Sequence, residues 1–143
     1  MEKNLWLVAG GVLSAGASIL HVAIIVGGPD WYRFFGAGER MARMAEQGRL
    51  EPALTALAIA GLLAVWAAYA FAGAGLLPRL PFMRISLVGI SVIYLARGLV
   101  IFPMLALMPE SINAFAWWSS AIVLVYGTVY AIGTWLAWPK LGA

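Results

Sequence analysis

Apolar residues arrive in four long runs, Leu5–Val26, Pro52–Gly75, Phe82–Met108 and Ala114–Trp138, separated by shorter stretches that hold nearly all the charge. A helix rises about 1.5 Å per residue and the hydrocarbon core of a bilayer is ~30 Å thick, so roughly 20 mostly apolar residues suffice to cross it. Each run is long enough, and together they use most of the chain. The pattern predicts an all-α integral membrane protein over residues 1–143, one transmembrane domain built as a four-helix bundle. Composition agrees: 64% of the 143 residues are hydrophobic and 10% charged, against about a quarter charged in a soluble domain. The first run follows a lysine and contains LSAGAS, as a signal peptide would. It exceeds the ~7–15 apolar residues of a signal core, and three further runs follow, so it is expected to be retained.

Within the runs, small and polar residues mark the faces. In span 1, Gly10, Ser14 and Ser18 recur at four-residue steps, and His21 extends the same face. Such a small-residue stripe lets helix backbones approach closely in lipid, which makes it a candidate contact between copies in a homo-oligomer. Gly27-Gly28-Pro29 then ends the helix. The first loop follows with Trp31, Tyr32, Phe34 and Phe35 around Arg33, rings expected at the headgroup layer as a lid or an interface anchor. From Glu39 to Gln47 a short interfacial helix is predicted, with Met41, Met44 and Ala45 on one face and Glu39, Arg43 and Glu46 on another.

Span 2 opens on Glu51-Pro52, with Thr55 one turn further on. Proline suits the first helical turn, and a carboxylate there suits the positive end of the helix dipole. In span 3, Pro103 leaves the Leu99 carbonyl without its usual donor, which predicts a kink. Span 4 begins FAWWSS, with Trp117 and Trp118 at the interface and Ser119, Tyr126, Tyr130 and Gly133 along one stripe.

The residue that most needs explaining is Arg97, alone in the apolar stretch SVIYLARGLV. A central arginine costs ~2.5–3.5 kcal/mol on an insertion scale. It stays charged, so it must face the bundle interior, water or an anionic partner. Alternating helix direction puts His21, Glu51, Thr55, Trp117, Trp118, Ser119 and Ser120 in the same half of the bilayer, while the opposite half holds Tyr69 and Tyr130 without a charge. Glu51 is the expected partner of Arg97, with Asp30 and Glu110 as alternatives and Tyr94, His21 and Tyr126 as further polar contacts. Arg97, His21, Glu51, Tyr94, Tyr126, Ser119 and Trp118 are therefore the candidate ligand-binding residues. They suggest a pocket for a lipid or amphipathic small molecule near one membrane face. The competing expectations are a membrane enzyme with His21 or Glu51 as acid/base and Arg97 as electrophile, and a subunit of an oligomeric transporter.

A glutamate opening span 2 and an arginine in span 3 are similar to the layout of small four-helix membrane enzymes of the eicosanoid and glutathione superfamily. The segment GRLEP departs from the arginine and asparagine pattern expected before that glutamate, so the likeness is one of layout and implies no membership. Sterol-isomerase-like bundles share the same general layout, again without a motif.

Charge and residue counts remove other classes. With one histidine and no cysteine, neither a thiolate nor a multi-histidine metal site is available, and no cofactor is expected. The formal charge of +3 is spread without a lysine cluster, which argues against nucleic acid. Arg33, Arg40, Arg43 and Arg49 on one side balance Lys3, Arg79, Arg84 and Lys140 on the other, so the positive-inside rule is tied. The acidic residues, concentrated in the first and third loops, lean the termini towards the cytoplasm.

Overall fold

Every long apolar run becomes a helix in the computed structural model, which describes residues 3–142. The order is α1 (Leu5–Gly27), α2 (Pro29–Phe34), α3 (Glu39–Glu46), α4 (Glu51–Gly73), α5 (Met83–Leu99), α6 (Ile101–Leu107) and α7 (Ala114–Ala137). Single 3-10 turns follow α6 and α7. Among the described residues there are no strands, and four segments are long and apolar enough to cross a membrane: α1, α4, Met83–Leu107 and Ala114–Lys140. The chain is an all-α four-helix bundle, compatible with a multi-pass membrane protein.

The helix ends follow local chemistry. Gly28, at φ 79°, turns the chain out of α1, and Pro29 opens α2 where its missing N–H costs nothing. The interfacial helix α3 ends within one residue of the expected Glu39–Gln47. The short helix α2, formed by PDWYRF, was not expected. Span 3 is interrupted at Val100, where the break between α5 and α6 sits beside the Leu99 carbonyl that Pro103 cannot serve. Asn113 caps α7 by accepting from the Ala116 N–H at 2.8 Å. At the far end of α7, Arg84 donates to the Trp138 carbonyl at 3.1 Å with its guanidinium 4.7 Å from the Trp138 ring centre, and Arg79 donates to the Lys140 carbonyl. These two arginines satisfy carbonyls that the helix end leaves open.

The chain divides into two compact units, one formed by residues 1–14 with 66–143, the other by Ala15–Val65. In the first, glycines permit close approach of backbones. A Cβ on Gly98 would fall 2.5 Å from Leu124 Cγ, and one on Gly127 would fall 2.9 Å from the Leu95 backbone nitrogen. Neither site has room for alanine, so α5 and α7 pack at glycine-limited distance. Asn4 donates to the Gly133 carbonyl at 2.7 Å and accepts from the Leu7 N–H at 3.1 Å, seating the start of α1 on α7.

The second unit has its own small core. Ile24, Tyr32 and Ala42 are buried, with Leu20, Phe35, Met41 and Ala45 against them. This corrects two expectations. The apolar side of α3 packs against Leu20 and Ile24 of α1 and against Tyr32 and Phe35, with Ala42 at its centre. Of the four loop aromatics, Tyr32 and Phe35 point into this core, while Trp31 and Phe34 stay exposed. Arg33 locks the arrangement by pairing with Asp30 at 3.3 Å, Glu39 at 3.0 Å and Glu46 at 2.6 Å, and so ties α2 to α3. These hydrogen bonds hold the Arg33 guanidinium more firmly protonated than usual and the Glu39 carboxyl below the usual glutamate range.

Candidate functional site

The stripe Gly10, Ser14 and Ser18, a candidate contact between copies, is occupied inside the chain. A Cβ on Gly10 would meet the Tyr130 ring at 2.9 Å. Ser14 is 0% exposed and its hydroxyl lies 2.7 Å from that of Tyr94 and 2.6 Å from that of Tyr130. In the other unit, Ser18 donates to the Ala60 carbonyl at 2.7 Å. Small residues at these steps serve packing between helices of one chain, the same physics that would serve a dimer.

The Ser14 cluster has a defined proton order. Tyr130 also reaches the Trp66 carbonyl at 3.2 Å. A carbonyl only accepts, and a hydroxyl has one proton, so Tyr130 donates there and must accept from Ser14. Ser14 therefore accepts from Tyr94. The result is a directed chain, Tyr94 to Ser14 to Tyr130 to the Trp66 carbonyl, crossing four helices with no unused proton. Aromatic contacts enclose it: the Tyr94 ring lies 4.9 Å from Trp66 and 5.4 Å from both Tyr126 and Tyr130, centre to centre. Tyr94 and Tyr126 were expected as ligand contacts. The Tyr94 hydroxyl is consumed within the core, whereas the Tyr126 hydroxyl has no hydrogen-bond partner among the described residues.

Arg97, one turn after Tyr94, sits at the exposed edge of the α5 face that carries this core. Met83, Leu87, Ile90, Ser91, Tyr94 and Gly98 form the buried face, and Arg97 is exposed between Ile93, one turn before, and Val100, one turn after. No ion pair or side-chain hydrogen bond involves Arg97 among the described residues. Glu51 is held at 2.5 Å by Arg49. The alternative partners are also placed elsewhere: Asp30 pairs with Arg33, and Glu110 is exposed in the 3-10 turn after α6. Charge in this span thus faces outward.

The remaining candidates are distributed. Half-buried His21 donates from Nδ1 to the Ala17 carbonyl at 2.7 Å in its neutral form, leaving Nε2 as the free nitrogen. Ser119 donates to the Ala116 carbonyl of its own helix at 3.2 Å, and Trp118 is exposed. Among the described residues no group of histidine, cysteine and carboxylates is arranged to hold a metal.

Two functional features escaped the sequence reading. Ser14 and Tyr130 were placed in a packing stripe and in an uncharged half, yet they form the polar core; only the coincidence of three helix registers brings their hydroxyls together. The outward face of α3, bearing Arg40 and Arg43, was not singled out: Arg43 was grouped with Glu39 and Glu46, and Arg40 entered only the charge count. Comparison of the chain with protein-family models, curated proteins and solved structures returned no match, and the chemistry of its own residues alone carries the functional reading.

Proposed function

We propose that this protein binds an anionic amphiphile, a lipid or a small molecule with an acyl or alkyl tail, on the lipid-facing side of its third span. The observation that carries the reading is Arg97: a permanent charge, exposed among Ile93, Val100 and Leu99, with no carboxylate partner among the described residues. Leaving it bare in hydrocarbon costs ~2.5–3.5 kcal/mol. A phosphate or carboxylate offsets that cost through a forked, charge-assisted contact, while the tail lies along the apolar residues beside it. Leu107 is ten residues beyond Arg97, ~15 Å of helix, so the extended stem covers part of the distance towards the headgroup layer. The α5–α6 break adds the Leu99 carbonyl as a nearby acceptor for a ligand hydroxyl. The proposed site is therefore an exposed stretch of the third span in place of the enclosed pocket that the sequence suggested.

The test is native mass spectrometry of the protein in mild detergent, with extraction and identification of what it carries. Wild type should hold one anionic amphiphile that Arg97→Leu loses and Arg97→Lys retains more weakly. Equal content and equal thermal stability in wild type and Arg97→Leu would refute the reading. The termini are assigned to the cytoplasmic side on the acidic balance of the loops, which a C-terminal reporter fusion checks.

A further inference from the structure

The outward side of α3 is a second charged surface, and its arginines are sparsely partnered. Ala42 is fully buried and Met41 and Ala45 turn towards the loop core, so α3 presents Arg40, Arg43 and Gln47 outward with half-buried Met44 among them. These residues, with Glu39 and Arg49, line one shallow depression. The nearby carboxylates are already engaged. Arg33 approaches Glu39 through both nitrogens, at 3.0 and 3.1 Å, and takes Glu46 as well. Arg43 has only a 3.4 Å contact to the same Glu39, and Arg40 is in no ion pair among the described residues. Two arginines one helical turn apart thus keep guanidinium donors without a partner among the described residues.

The surroundings say what that charge meets. The α2–α3 segment joins the end of one span to the start of another, at headgroup depth if those spans cross. Trp31 is 43% exposed, Phe34 73% and Leu50 70% in the same unit. Exposed rings and exposed arginines in one short segment are what a leaflet boundary accommodates: rings in the interface, guanidinium forks on phosphate oxygens. A soluble anion would use the arginines but would leave those rings in water.

We propose that the outer side of α3 recognises the phosphate of anionic phospholipids in the leaflet it borders, with Arg40 and Arg43 as the binding residues and Trp31 and Phe34 seating the segment. This surface is independent of Arg97. The test is titration of the full-length protein in detergent with phosphatidylglycerol, phosphatidylcholine or inorganic phosphate, followed by native mass spectrometry, in both wild-type and Arg97→Leu backgrounds. Phosphatidylglycerol should bind more tightly than the other two in either background, and Arg40→Gln/Arg43→Gln should raise its Kd roughly 30-fold, the factor for removing two basic groups from an anionic surface. Arg40→Lys/Arg43→Lys, which keeps the charge, should stay within a few fold of wild type. Both substituted positions are exposed, and a circular dichroism melt verifies the fold. An unchanged Kd in the glutamine variant overturns the proposal. Inorganic phosphate binding as tightly as phosphatidylglycerol also overturns it, by making this a site for a soluble anion. Loss of ligand on Arg97→Leu alone bears only on the span 3 site.

Discussion

Replacing Tyr130 with phenylalanine removes one oxygen atom and keeps the ring that packs on Gly10, so it isolates the hydroxyl chain. Two hydrogen bonds disappear, the 2.6 Å contact with Ser14 and the 3.2 Å contact with the Trp66 carbonyl. The carbonyl belongs to a helix residue and keeps its backbone donor, so its loss is small. Ser14 is left with a proton and no acceptor unless it turns towards Tyr94, whose own proton is then displaced. Either way one buried donor goes unmatched. Interhelical hydrogen bonds in membrane proteins average about 0.6 kcal/mol with a maximum near 1.7, and an orphaned buried donor costs ~1–3 kcal/mol. The expected destabilisation is about 2 kcal/mol. Ser14→Ala should cost a similar amount, because it strands Tyr94. The informative quantity is the double variant. If the hydroxyls act in series, removing the second partner costs little once the first is gone, and the two effects fall short of additivity by about 1 kcal/mol. Reversible unfolding in mixed detergent–SDS micelles, followed by circular dichroism, measures all four corners of the cycle. Additivity within ~0.3 kcal/mol would refute the directed chain.

Glycine substitutions should divide by position. Gly98→Ala and Gly127→Ala force a methyl into the α5–α7 contact and should cost about 1–3 kcal/mol in the same assay. Gly61→Ala and Gly89→Ala meet nothing within 4 Å and should be neutral or stabilising by up to about 1 kcal/mol. Acid should loosen the first loop. The folded-state pKa of Glu39 is depressed by Arg33, so its contribution is complete above the ordinary glutamate value and fades as pH falls through the lower, folded-state value. A nitroxide on Ala37→Cys, the only cysteine in that variant, should be immobilised at neutral pH and mobile in acid, and Arg33→Gln should make it mobile throughout. A label insensitive to both would remove the clasp from the argument.

The four spans were legible because a bilayer imposes a length and polarity rule on each segment separately, with no knowledge of its neighbours. The α3 boundaries, the start of α4 at Glu51-Pro52 and the break after Leu99 were legible for the same reason, since capping, proline and periodicity are local. The candidate site was less so. Tyr94 and Tyr126 do meet, 5.4 Å apart, but Arg97 is exposed and Glu51 is held by its neighbour Arg49, because similar depth along a span says nothing about the direction in which a side chain leaves its helix. The span 1 stripe shows the limit most directly. Gly10, Ser14 and Ser18 announce close packing whoever the partner is, and the partners proved to be Tyr130, Tyr94 and the Ala60 carbonyl of the same chain.

The sequence by itself determined that this chain makes helices of membrane-crossing length, where they begin and end, and that Arg97 required an account. Tertiary structure alone decided that Tyr94 is buried and Arg97 exposed on the same helix, and that Arg33 ties Asp30, Glu39 and Glu46 together. Rotation of each helix about its axis is set by the sum of many small packing terms across helices, and glycine contacts such as Gly98 on Leu124 enter that sum only once the neighbour is in place.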